Sequence, residues 1–301
     1  MRAQTFRADM LMLVTAIIWG AAFVAQKIGM DHIGPFLYSA LRFFIGALII
    51  APLVLRHARQ DTSNEPVMSS GLLIGGVAMG IALSIAINIQ QVGLIYTTVT
   101  NSGFITGLYV IFVPMFAFLI GQKTGLGTWV GAAVAVAGMV LLSVNEDYHV
   151  ALGDWIQLAG AAMWAVHVLV VGIYAGRYNA IRLAFVQFVV CAVVSLVLAI
   201  IYEEIVVDAI ISAGPALLYG GVLAVGVGFT LQVVAQKHAI ASHAAIILSL
   251  EAVFAALTGA LILGESLTAN GYIGCSLMLA GMLCAQLWPS KEQLELKPAL
   301  N

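Results

Sequence analysis

The sequence repeats itself at long range, and each copy is long enough to cross a bilayer five times. Advancing residues 8 to 56 by 145 superimposes Asp9 on Asp154, Leu13 on Leu158, Ala16 on Ala161, Trp19 on Trp164 and Phe43 on Phe188. A shift of 142 places Leu108 on Leu250, Phe112 on Phe254, Leu119 on Leu261 and Ile120 on Ile262, and a shift of 143 places Gly131 on Gly274 and Gly138 on Gly281. One or two residues of loop account for the drift. An odd number of crossings per copy forces the second copy to sit upside down relative to the first, which is the architecture of alternating-access carriers.

Composition identifies the solvent. The chain is 62% hydrophobic and 9% charged, against roughly 25% charged in soluble domains. Its charges fall in short clusters between apolar runs of about the 20 residues that span hydrocarbon. Ten spans are predicted, near residues 10–29, 36–55, 71–92, 101–121, 127–145, 153–173, 181–201, 214–235, 244–264 and 270–288. Barrel strands would alternate apolar and polar residues, whereas these runs are apolar all round and must satisfy their backbone within each helix. The predicted fold class is an all-α polytopic membrane protein, with ten transmembrane helices in two inverted five-helix repeats. The repeats are placed at 8–146 and 153–288, and a cytoplasmic tail at 291–301.

Lysine and arginine test the count, because short cytoplasmic loops retain positive charge. With the N-terminus in the cytoplasm, Arg2, Arg7, Arg56, Arg59, Lys123, Arg177, Arg182, Lys237, Lys291 and Lys297 all fall on the inner side. Asp31, Glu146, Asp147, Glu203, Glu204, Asp208 and Glu265 fall outside. Nine or eleven spans would scramble this division. The expected location is the inner cell membrane, with both termini cytoplasmic. The first apolar helix contains Trp19, Gln26 and Lys27 and has no small-residue cleavage site, so it is kept as span one.

Other function classes find little support. Cys191, Cys275 and Cys284 lie within predicted spans and read as small buried hydrophobes, without metal-site or disulfide spacing. There is no zinc-binding His-Glu-x-x-His, no phosphate-cradling Gly-x-x-x-x-Gly-Lys-Ser and no close carboxylate pair on one helix. Neither a cofactor, a metal nor a nucleic-acid partner is expected. A membrane-embedded enzyme and a channel remain the competing classes. The channel would pass its solute without saturation.

The residues carry a family resemblance over almost the whole chain. Ile18-Trp19-Gly20 with Lys27, Ala40-Leu41-Arg42-Phe43, and Tyr96-Thr97-Thr98 through Asn101 mark the first half. Ser249-Leu250-Glu251-Ala252-Val253-Phe254, Leu263-Gly264-Glu265 and Leu279-Ala280-Gly281 mark the second. In this order they resemble the EamA-type members of the drug/metabolite transporter superfamily. The resemblance implies an inner-membrane exporter of small metabolites, with amino acids or related compounds first and a multidrug or organic-compound exporter as the alternative. It also implies a substrate held between spans one, three, four, six, eight and nine. Ala252 stands where the family often has proline, which removes one source of a kink in span nine.

Polar residues inside a bilayer are expensive and mark functional sites by default. Glu251 lies about seven residues into span nine, roughly 10 Å deep at about 1.5 Å per residue. Its repeat partner is Tyr109. It is a candidate proton carrier, or a carboxylate that fixes helix packing by hydrogen bonds. Arg42, whose repeat partner is Gln187, is expected to bond helix-end carbonyls or an acid, with substrate contact as the second reading. Lys27 either snorkels to the outer interface beside Asp31 or attracts a substrate carboxylate at an outer gate.

The repeat-related Trp19 and Trp164 lie too deep to be interfacial anchors, so both are read as cavity walls or inter-helix packing, with Phe23 and His167 one turn further on. His167 competes with Glu251 as a titrating group. Asn88, Gln90 and Gln91 in span three, and Gln232 and Gln236 in span eight, are cavity lining or inter-helix glue. The candidate cavity residues are Trp19, Phe23, Asn88, Gln91, Tyr109, Trp164, His167, Gln232 and Gln236, with Glu251, Lys27 and Arg42 as coupling or gating residues. The expected partners are the lipid bilayer, a small-molecule substrate and protons as coupling ion.

Overall fold

Every predicted span is helical over its described residues. The computed structural model describes residues 2–60, 68–119, 125–143, 150–238 and 241–288. Lys123, Glu146, Asp147, Lys291, Lys297 and the 291–301 tail lie outside the described residues. The first three spans are α1 (Arg2–Met30), α2 (Pro35–Gln60) and α3 (Ser70–Ile95). Span four is α4 (Val99–Gly107) followed by α5 (Tyr109–Leu119), and span five is α6 (Leu126–Ser143). The second half opens with α7 (Leu152–Tyr174) and α8 (Ala180–Tyr202), linked by the short α9 (Val207–Ser212) to span eight. That span runs through α10 (Gly214–Leu218), a π-helical segment (Tyr219–Phe229) and α11 (Thr230–Gln236). Span nine is α12 (Ala241–Leu248) and α13 (Glu251–Leu263), and span ten is α14 (Ala269–Leu287).

Among the described residues, eight spans are long and apolar enough to cross a bilayer, while spans five and ten have the shorter apolar cores Trp129–Leu142 and Ala269–Cys284. The two short helices pair with each other. A Cβ on Gly138 would stand 2.6 Å from the Gly274 carbonyl oxygen, and one on Gly281 2.6 Å from that of Gly131. Only glycine permits this approach.

The repeat extends to the backbone. In span four, Leu108 N–H donates to Ile105 O at 3.1 Å and Ile111 N–H to Leu108 O at 2.9 Å. In span nine, 142 residues on, Leu250 N–H donates to Ile247 O at 3.3 Å and Val253 N–H to Leu250 O at 3.0 Å. Both helices therefore tighten and break at the same register. The proline missing at Ala252 is not needed for this interruption, and span nine is broken without it.

Polarity is arranged for a bilayer. Leu48, Ile49, Ile74, Ile81, Val193, Val197 and Ile200 are exposed, while Gln26, Arg42, Asn88, Gln91, His167, Gln187, Gln232 and Glu251 are buried. Lipid pays no penalty against the first set, and the second is withdrawn into the bundle.

At the end bearing the acidic loops, carboxylates of the second half close helix starts of the first. Glu203, just past α8, accepts from the Phe36 and Leu37 amides of α2 at 2.7 and 2.8 Å. Glu265, past α13, accepts from the Val99 and Thr100 amides of α4 at 2.7 and 3.0 Å. Orphan N–H groups at a helix start, with the positive end of the dipole behind them, suit a carboxylate. Asp154 of α7 is held there too, by the Thr97 hydroxyl and by the Asn101 amide.

Candidate functional site

The breaks in spans four and nine place Tyr109 and Glu251 at the first position of α5 and α13, both facing one central cavity. The space is small, about 30 Å³, and is lined among others by Trp19, Phe23, Gln26, Arg42, Gln90, Tyr109, Trp164, Phe229, Gln232 and Glu251. It is a set of narrow gaps between side chains rather than an open chamber. The Tyr109 phenol and the Glu251 carboxyl lie against one another without a well-formed hydrogen bond.

Aromatic rings form one wall. Trp19 and Trp164 stand 6.2 Å apart, and Phe229 of the π segment lies 4.5 Å from Trp19 and 5.9 Å from Trp164. The Trp164 and Phe229 rings are stacked. Each indole is held by its N–H. Trp19 donates to the Ala224 carbonyl at 3.0 Å, and Trp164 donates to Gln90 Oε1. Gln90 in turn reaches Gln26 Oε1 at 3.5 Å.

Seven of the twelve residues chosen from sequence line this space: Trp19, Phe23, Tyr109, Trp164, Gln232, Glu251 and Arg42. The other five are placed around it. Asn88 turns toward α8 and donates to Ser195 Oγ at 2.8 Å. Gln91 stands behind Arg42, accepting from its Nη2 at 3.1 Å. His167 is fully buried, edge-on to Trp164, with Nε2 3.1 Å from Gln187 Oε1. Gln236 donates to the Val168 carbonyl at 3.3 Å. Lys27 donates to the carbonyls of Leu94, Ile95 and Thr97 at 2.8, 3.3 and 3.1 Å, so its ammonium closes the C-terminal end of α3 where the dipole favours a cation.

Gln26, Gln90 and Phe229 are lining residues absent from the chosen set. Two had a signal. Gln26 follows Trp19 and Phe23 at helical spacing, and Phe229 lies one turn before Gln232. Gln90 was visible as an intramembrane amide, but the order of Asn88, Gln90 and Gln91 around α3 depends on the rotation of the helix.

The EamA-like transporter family matches residues 6–144 and 151–286, once for each half. The chain belongs to that family and is a multi-pass membrane transporter of the EamA type. An uncharacterized transporter of Archaeoglobus fulgidus is 31% identical over 284 residues, 93% of this chain and 86% of its own. The uncharacterized transporter YoaV of Bacillus subtilis is 25% identical over 272 residues, 88% of this chain and 92% of its own. A probable amino-acid metabolite efflux pump of Escherichia coli is 28% identical over 159 residues, about half of each chain. A solved crystal structure superimposes with TM-score 0.71 over 96% of this chain and 98% of its own at 20% identity, a likeness of fold.

Proposed function

We propose that this chain exports small metabolites, amino acids or closely related compounds, across the inner cell membrane by alternating access of its two repeats. Its termini face the cytoplasm, and Glu251 takes up and gives up a proton in each cycle. The observation that carries this reading is the junction of two broken helices at one cavity. Discontinuous helices at the midplane between inverted repeats are where carriers of this architecture hold their substrate. The asymmetry of that junction, a phenol on one side and a carboxyl on the other, suits a coupled step. The narrowness of the cavity fits an occluded state whose walls must part before a metabolite enters or leaves. The name of the E. coli relative supports the substrate class. The aromatic wall formed by Trp19, Trp164 and Phe229 favours a second reading, an exporter of varied organic compounds.

The test is counterflow into proteoliposomes with labelled amino acids and organic acids, comparing wild type with Glu251→Gln with and without a pH gradient. Saturable exchange of one compound is expected, with the mutant losing only the gradient-driven part. Identical behaviour of mutant and wild type in both conditions would reduce Glu251 to a packing residue.

A further inference from the structure

The sequence offers Arg42 two structural uses, helix-end carbonyls or a partner acid, and the structure gives it neither. Its side chain is buried, and its Nη2 donates to a neutral amide, Gln91 Oε1, at 3.1 Å. Its Nε has no acceptor. The rings of Tyr38 and Phe43 flank the guanidinium at 5.3 and 5.4 Å from its central carbon. Among the described residues no carboxylate is bonded to it. Glu251, the carboxylate in the cavity lining, lies against Tyr109 instead. A buried cation compensated only by an amide and two ring faces is costly, and its charge is strongly felt in a medium of low dielectric.

The polar groups nearby are unsatisfied donors as well. Gln91, which already holds Arg42 through its oxygen, has an Nε2 without an acceptor, and Gln232 of α11 is buried in the cavity wall with both amide atoms unpartnered. The Arg42 Nε and the two amide N–H groups share one need, a hydrogen-bond acceptor, and beside a buried guanidinium an anionic oxygen meets it best. A planar carboxylate supplies two, in the geometry that an arginine fork grips.

We infer that Arg42 is the anchor for a substrate carboxylate, assisted by Gln232, so that this carrier selects small organic carboxylates over the corresponding carboxamides whatever else the substrate bears. This deepens the carrier reading above and rests on it. An α-amino group is not required by the anchor, so simple carboxylic acids and amino acids compete for the same place.

Matched pairs test it in the full-length protein: L-leucine against L-leucinamide, and phenylacetate against phenylacetamide, titrated by intrinsic tryptophan fluorescence in detergent. The acids are expected to bind about tenfold or more tightly than the amides, the scale of a charge-assisted hydrogen bond. Arg42→Gln should erase the difference. Arg42→Lys, which keeps a cation in place and guards against a folding failure of the first variant, should keep the preference for acids at reduced affinity. Gln232→Leu should weaken the acids several-fold and the amides less. Equal binding of acids and amides, no binding of either acid, or an acid preference that survives Arg42→Gln overturns the anchor. Counterflow separates the two readings. Saturable exchange that ignores the carboxylate keeps the carrier and removes the anchor, whereas tight Arg42-dependent binding with no exchange of any compound keeps the anchor and removes the carrier.

Discussion

Spans three and eight occupy repeat-related places, yet their backbones differ. The first is one regular helix, Ser70–Ile95, opened by the Ser69 hydroxyl that accepts from the Leu72 amide. The second passes through eleven residues of π-helix, Tyr219–Phe229. The tryptophans of the two halves respond accordingly. Trp164 finds a side-chain acceptor on α3, Gln90, whereas Trp19 finds a main-chain carbonyl, Ala224, inside the π segment. Thr15 reaches the Gly228 carbonyl of the same segment at 3.4 Å, and Tyr219 reaches back to the Ile18 carbonyl at 3.0 Å. A wider helix with a poorly matched hydrogen-bond ladder exposes carbonyls that neighbouring spans can use. Sequence symmetry thus builds the scaffold, and the unequal backbones pair a regular helix in one repeat with a wider one in the other.

The strongest challenge to this contrast is a deletion. Removing Ile85 from α3 turns Asn88, Gln90 and Gln91 about 100° away from their partners, and monodisperse protein should be lost on size-exclusion chromatography. Removing Val222 from the π segment can be absorbed by tightening one wide turn to an α turn, so folded protein should survive with reduced exchange. Equal outcomes would show that the π segment is no more adaptable than α3.

A smaller effect is expected from the indole donors. Trp19→Phe leaves a main-chain carbonyl unserved and should cost about 1 to 3 kcal/mol of stability. Trp164→Phe frees a glutamine amide that can turn to Gln26, and should cost about 1 kcal/mol or less. Thermal unfolding of the two variants side by side checks the order.

The smallest test uses glycines facing the neighbouring spans. A Cβ on Gly80 of α3 would meet the Val190 Cβ at 2.6 Å, while one on Gly226 of the π segment would meet the Ile49 Cγ2 at 3.2 Å. Gly80→Ala should destabilise by about 1 to 3 kcal/mol through overpacking. Gly226→Ala should cost less, about 1 kcal/mol, since the tip of Ile49 can give way and the Gly221 carbonyl, at 3.3 Å, is only slightly crowded. A reversal in melting temperatures would point to a rigid span eight.

Much of the fold was legible because a bilayer writes its demands plainly: long apolar runs, charge at the turns and a repeat that fixes the count. The π segment was not legible, because Tyr219–Phe229 is apolar and glycine-containing like any membrane helix and no residue type announces a wider turn. Seven of the residues singled out from sequence line the cavity, five of them read as cavity residues and two as coupling or gating residues, and they stood out because intramembrane polar and deep aromatic side chains are rare. Those that turned away did so for reasons of helix rotation. Asn88 and Gln91 sit on neighbouring faces of α3 from Gln90, and only packing against α7 and α8 decides which amide meets the cavity. Lys27 was readable as a charge near a helix end, but its carbonyl partners lie almost 70 residues on, across two turns of the chain.

The caps contributed by Glu203 and Glu265 have a consequence for how the chain is made. The α2 and α4 amides they serve are translated 165 to 167 residues earlier than the carboxylates. When the first half has entered the bilayer, two of its helices begin with donors that have no protein acceptor, and those ends must wait in the headgroup water. Insertion of spans seven and nine supplies the missing acceptors, so synthesis of the second half completes the first, and a ribosome stalled near residue 150 would release a half-protein with loose ends.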